Sequence, residues 1–186
     1  MIFGTLPRPD GQQNENLFVN SPPNSSIIAL SAAFAMLGLD QLTKHWALVS
    51  FGAVGTTIEL AGPIDLTLVL NRSNAFGLIP AYGEFSRWAL TALNLAVAVI
   101  LLRFVLRQST SRLNAFGLAF ISAGALGNAL DRLRLGAVVD LFDASKLGFV
   151  WVFNVADVSI DLGIALILVA SLLPLSGLRK VEHGKD

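Results

Sequence analysis

Four long apolar stretches set what this chain can fold into. The third, Leu113 to Leu130, runs for 18 residues without a charge. The others are Ile27 to about Val49, about Phe85 to Leu106, and about Val155 to Leu178. The second is uncharged from Trp88 to Leu102, and the fourth from Leu162 onward. A helix needs roughly 20 apolar residues to cross the hydrocarbon of a bilayer, and each stretch is near that length. The first and fourth reach it only by including acids at their ends. Composition agrees: charged residues make up 14%, against about 25% in soluble domains. The expectation is an all-α membrane protein, a four-transmembrane-helix bundle with helices at about 27–49, 85–106, 113–131 and 155–178.

The flanks and the missing residue types narrow the function. Residues 1–26 are polar and rich in Asn, Pro and Gln. They lack the basic start and apolar core of a signal peptide, and read as a flexible tail. Residues 179–186 form a short C-terminal tail. The formal net charge is zero, which gives no bias toward nucleic acid, and none is expected as a partner. The chain has no cysteine, which excludes disulfides, thiolate nucleophiles and Cys-based metal sites. Its two histidines, His45 and His183, are too few for a His-rich metal site. No metal or cofactor is expected.

Basic residues orient the bundle. Arg103, Arg107 and Arg112 frame the loop between the second and third helices, and Arg179, Lys180 and Lys185 lie in the C-terminal tail. Both groups belong on the cytoplasmic side. Four crossings then put both termini there. The opposite side collects Asp40, Glu59, Asp65, Glu84, Asp131, Asp140, Asp143 and Asp157. On that side "TTIELAGPIDLTLVLNRSNAFGLIP" is rich in Thr, Ile, Leu and Val and is broken by "AGP". It reads as short strands with a turn, a small extracytoplasmic sheet at about 51–80 resting on the membrane face.

Several polar groups sit where hydrocarbon is expected, and each has two readings. In "LDQLTKHW", Asp40 and Lys44 lie one helical turn apart on one face. They are either a local ion pair whose Lys stem reaches toward headgroups, or a polar group beside a substrate. "LNRSNAFG" holds Asn71, either a turn closing a strand or a clamp on an extended peptide. In "GNALDR", Asn128, Asp131 and Arg132 share a helix face. They either end the helix at lipid phosphate or form an internal network. Asn154 in "FNVADVSIDLG" reads as an N-cap with Asp157 at the third helical position, a capping box. Asp161, one turn deeper, is expected to pair with a neighbouring helix. Asp143, beside Ala144, Ser145 and Lys146, reads as a solvated loop acid.

Two acids in apolar settings, Asp140 in "AVVDLF" and Asp157, flank the same membrane surface. Like charges at short range resist ionising together, so such a pair holds one proton between them. One acid then serves as base toward water and the other as acid toward a carbonyl. That chemistry hydrolyses a peptide bond without metal, Cys or Ser.

The stretches "DQLTK", "NRSNAFG", "GALGNALDRLRLGAVVDLF" and "FNVADVSI" together resemble the bacterial lipoprotein signal peptidases (signal peptidase II) in order and spacing, over roughly residues 39–160. The resemblance implies an aspartic endopeptidase of the bacterial inner membrane, working at its outer face. It would cut prolipoproteins on the amino side of a diacylglyceryl-modified cysteine. It implies Asp140 and Asp157 as the catalytic pair. Asp40, Lys44, Asn71, Asn128, Asp131, Arg132 and Asn154 are implied as supporting residues, with Asn71 and Arg132 holding substrate backbone and Asp131 orienting Arg132 and Asn128. It also implies a β-cradle, a short helix lying on the membrane, and prolipoproteins and membrane lipids as partners of a monomer. Two positions depart from the family pattern: Ser73 and Ala123 each stand where the family has Gly. Both are expected to add bulk near the substrate.

Overall fold

The computed structural model describes residues 24–72, 83–107 and 111–177. Four helices dominate: α1 (Asn24–Ser50), α2 (Glu84–Leu106), α3 (Arg112–Leu135) and α4 (Val155–Gly177). All four are long and apolar enough to cross a membrane. Helix α1 takes in the last three residues of the expected tail: Asn24–Ser26 are helical and Ser26 donates to the carbonyl of Val105 on α2, while residues 1–23 lie outside the described residues.

Helix α3 is the hub, packing against each of the other three. Some 56% of its span is buried, against 22% in the others. Its small residues explain this. Within lipid, helices associate through close van der Waals approach, which Gly, Ala and Ser permit. A Cβ added at Gly117 would stand 2.7 Å from the carbonyl oxygen of Gly163 on α4, and one at Gly124 would overlap that of Ala156. Farther round, Ala115, Ala119 and Ala123 close a core with Ala29 and Ala33 of α1 and Val105 of α2. The methyl of Ala123 therefore fills a helix–helix core. Ser73, the other departure, lies outside the described residues.

Helix α3 runs to Leu135, four residues past its expected end at 131. Gly136 then adopts φ 75° and donates to the carbonyl of Arg132, the left-handed cap that glycine tolerates best. Arg87 at the start of α2 adds a second anchor, donating to the carbonyls of Arg132 (2.8 Å) and Leu133 (2.9 Å).

A four-stranded antiparallel sheet covers this end of the bundle in the order β1 (Thr57–Ile58), β2 (Asp65–Asn71), β3 (Val138–Asp143), β4 (Val152–Phe153). Half of it falls outside the expected 51–80. "VVDLFD" lacks a polar–apolar alternation because β3 is buried on both faces along Val138–Leu141. Val139 and Leu141 pack on Ala47, Phe51 and Leu68. The two-residue period of a strand turns Asp140, between them, to the other face. Val69 pairs with Asp140 and Asn71 with Val138, after an irregularity in β2 between Leu66 and Val69. Among the described residues, the only helical turn outside the bundle is a 3-10 turn at Ser145–Leu147.

Candidate active site

The chain's turn at Gly136 and the pairing of β2 with β3 carry Asp140 back over the start of α4. There Asn154 and Asp157 form the expected capping box. Asp157 N–H donates to Asn154 Oδ1 at 3.0 Å, and Asn154 N–H donates to Asp157 Oδ2 at 3.3 Å. The side-chain amide of Asn154 also donates to Asp140 Oδ1 at 2.6 Å. One asparagine thus holds both acids.

The rest of the network fixes their orientation. Asn71 at the end of β2 donates to Asp140 Oδ2 at 3.0 Å. Asn128 on α3 donates to Asp157 Oδ1 at 2.9 Å. Its own oxygen accepts from Lys44 (3.1 Å) and Asn154 (3.3 Å), so its amide has one satisfied orientation. Lys44 is 2% exposed and bonds Asp40 at 2.9 Å and Asp131 at 2.8 Å. With Asn128, its three donors are all used. The Lys side chain therefore points into the bundle, and its stem does not reach toward headgroups.

Asp40 and Asp131 each do a second job. Asp40 Oδ1 accepts from Ala156 N–H at 2.8 Å, satisfying one of the free first-turn donors of α4. Asp131 Oδ2 accepts from Val139 N–H at 3.1 Å, which seats β3 beside Asp140. Asp131 also accepts from Gln41 at 3.2 Å and reaches Asn128 through Lys44. Arg132 is buried, donates to the carbonyl of Asn128 at 3.5 Å, and lies within electrostatic reach of Asp140, Asp131 and Asp157.

Burial pushes the Asp140 carboxyl up to about 6; the bond from Asn71 opposes this, the neighbouring Asp157 adds to it, and the bond from Asn154 opposes it. Asp157, only half-buried, gives the pair its open side. The arrangement presents two carboxylates, one of them poised to hold a proton near neutrality, to whatever occupies that side.

Two acids differ from expectation. Asp143 accepts from Thr67 at 2.8 Å and from Ser145 N–H at 2.9 Å, and these bonds hold its carboxyl below the usual range. It latches β3 to β2 and caps the following turn. Asp161 is exposed and has no hydrogen bond or ion pair among the described residues, so it pairs with no neighbouring helix. Two contributors were missed. Gln41 donates to Asp40, to the carbonyl of Gly127 and to Asp131; its place inside "DQLTK" was the available signal. Arg87, four residues before Thr91 in a helix start, carried no signal beyond its spacing from Glu84.

The fold and site define a polytopic membrane protein with paired carboxylates at the sheet end of its bundle. Residues 32–173 match the family model described as Signal peptidase (SPase) II, and the chain belongs to that family. It is 41% identical over 161 residues to a lipoprotein signal peptidase of Caulobacter vibrioides, covering 86% of this chain and 94% of the relative. It is 40% identical over 151 residues to the lipoprotein signal peptidase of Synechocystis, covering 81% and 90%. Among solved structures it resembles a bacterial membrane enzyme determined in meso at 2.3 Å, with a TM-score of 0.70 and 26% identity over 88% of this chain and 96% of that one.

Proposed function

We propose that this chain is an aspartic endopeptidase that removes signal peptides from diacylglyceryl-modified prolipoproteins, cleaving on the amino side of the lipidated cysteine. The observation that carries the chemistry is the double hold of Asn154 on Asp140 and Asp157. A water lies between the two carboxyls, which share one proton. The ionised acid takes a proton from the water as its oxygen adds to the scissile carbonyl carbon. The protonated acid gives its proton to the carbonyl oxygen. Collapse of the tetrahedral intermediate breaks the C–N bond: the amine leaves with the proton the base took up, and one hydroxyl of the intermediate returns a proton to the acid that gave one up. Asn71 and Arg132 hold substrate backbone. Asn128 and Asn154 fix the acids, and Lys44, Asp40 and Asp131 position Asn128, α4 and β3.

The exposed Arg103, Arg107 and Arg112 support a cytoplasmic setting for the end opposite the sheet. Both termini are then cytoplasmic, and the acids lie at the outer face of the bacterial inner membrane.

The test uses purified, lipid-modified precursor in detergent. Wild type releases the signal peptide, and Asp140→Asn and Asp157→Asn stay folded but inactive. Full activity in either variant sinks the paired-acid mechanism, and loss of wild-type activity with a chelator points to a metal instead.

A further inference from the structure

We propose that the loop between β3 and β4, with Leu147, Phe149, Val150 and Trp151 at its tip, inserts into the bilayer interface at the sheet end of the bundle and anchors the sheet there. These four side chains are 54%, 52%, 93% and 68% exposed. Four large apolar groups within five residues of an exposed loop form the kind of patch that marks a contact surface. The ring planes of Phe149 and Trp151 lie 23° apart with centroids 5.9 Å apart, which presents one flat apolar face. The loop is also held at its base. Lys146 bonds Asp65 at 2.6 Å and the carbonyl of Leu60 at 2.8 Å, tying it to the turn between β1 and β2.

The occupant follows from where the loop stands. The chain has three tryptophans, and all three lie at this end of the bundle. Trp46 is four residues before the end of α1 at Ser50, Trp88 four after the start of α2 at Glu84, and Trp151 four before the start of α4 at Val155. Each is exposed, at 46%, 51% and 68%. Trp88 sets its indole N–H on Glu84 at 3.1 Å and lies under Arg87, an amphipathic pose with a wet edge. Tryptophan is enriched where headgroups meet hydrocarbon, because its ring is apolar and its N–H needs a polar partner. Two of the three belong to membrane-spanning helices and mark the level of that boundary. Trp151 stands just before α4 at the same end, which places it in the same ring and makes the lipid interface the partner of its loop. Asp143 ends β3 immediately before this loop, and Asp140 is three residues earlier. Anchoring the loop therefore fixes the depth of Asp140.

The test uses Trp46→Phe/Trp88→Phe protein, leaving Trp151 as the sole indole, in dilute proteoliposomes without precursor. The readout is thus independent of the peptidase reaction. Trp151 fluorescence should be shielded from iodide, and quenched more by lipids labelled near the headgroup than by lipids labelled deep in the chain. Phe149→Ser/Val150→Ser in that background should restore iodide quenching. Iodide access with no lipid quenching overturns the proposal. Lipid-side shielding that appears only after precursor is added assigns the patch to substrate acyl chains and also overturns it. So does shielding that is lost on further dilution of protein in lipid, which assigns it to a second copy. A second measurement keeps the indoles: Val150→Cys, the sole cysteine, carries a nitroxide whose relaxation should respond more to oxygen than to a water-soluble nickel complex.

Discussion

Asn154 and Asp157 bond each other twice, side chain to backbone in both directions, while the same Asn154 amide reaches Asp140 at 2.6 Å. The first relationship starts a helix; the second ties a strand to it. They can be separated by mutation. Asn154→Ser keeps an N-cap oxygen but loses the donor to Asp140. Its unfolding midpoint should stay near wild type, while cleavage falls about 10- to 100-fold, the kinetic equivalent of a charge-assisted hydrogen bond. Asn154→Ala should lose the cap as well, at about 1 kcal/mol. Equal activity of Asn154→Ser and wild type would show that the bond to Asp140 has no part in catalysis.

Lys44 is the one cation among two carboxylates and an amide, at 2% exposure. A buried ion pair is worth little against an apolar substitute, but removing one partner strands the other. Lys44→Met leaves Asp40 and Asp131 facing each other, and should cost about 3–5 kcal/mol in detergent unfolding. The triple change Lys44→Met/Asp40→Asn/Asp131→Asn should recover part of that loss. If the single variant unfolds like wild type, the cluster is not a structural centre.

The helices and both acids of the pair were legible because apolar length and an acid in an apolar setting are local signals. The organisation around them was not. Spacing revealed Asp40 with Lys44, one turn apart, but not Asp131, which the fold brings from 87 positions away. Strand β3 was hidden because a run buried on both faces loses its alternation, and its partner β2 lies far back in the chain. Arg87 stands three residues after Glu84, a spacing that offers no more than a surface ion pair of small worth. Its bonds to the end of α3 exist only once α2 and α3 pack.

Asp140 predicts an inverted acid dependence of stability. Burial raises its folded value from 3.8 to about 6, so between these values the native state holds a proton that the unfolded state has released. Its contribution is most favourable below about 3.8, declines as pH rises, and levels off above about 6. The gap corresponds to about 3 kcal/mol. Asp65 and Asp143, both held below the usual range, act oppositely and at lower pH: their support is present above the unfolded value and is lost as pH falls through the folded one. Melting temperatures followed across this range should decline toward neutrality in wild type, and Asp140→Asn should reduce the decline. An undiminished decline in Asp140→Asn belongs to another group.

Gly124 and Ala123 are neighbours with opposite tolerances. A Cβ at Gly124 meets the backbone carbonyl of Ala156 and the side chain of Ile160, so Gly124→Ala must part α3 from α4 just below Asp157. Overpacking of this kind costs about 1–3 kcal/mol, and cleavage should fall with it. Ala123→Gly restores the family's residue in a core away from the acids. It should cost about 1 kcal/mol of helix stability and leave the preference among precursors unchanged. A changed preference would put Ala123 in the path of substrate.

Asp161 has a carboxyl group with no partner among the described residues. It sits one turn beyond Asp157, exposed, while Ile160, Gly163 and Ile167 of the same helix face α3. An ionisable group inside a membrane span opposes insertion by up to about 3 kcal/mol, less toward the helix end. Asp161→Leu should therefore raise the unfolding midpoint in lipid, an unusual result for the loss of an acid so close to the site. Cleavage of the lipidated precursor distinguishes two causes for its presence. Unchanged kcat/KM means Asp161 only tolerates its position near the interface. A rise in KM at constant kcat, reversed by Asp161→Glu, means that the carboxylate meets the substrate on the open side of α4. A lower midpoint would show that Asp161 is held by an interaction formed only in the bilayer.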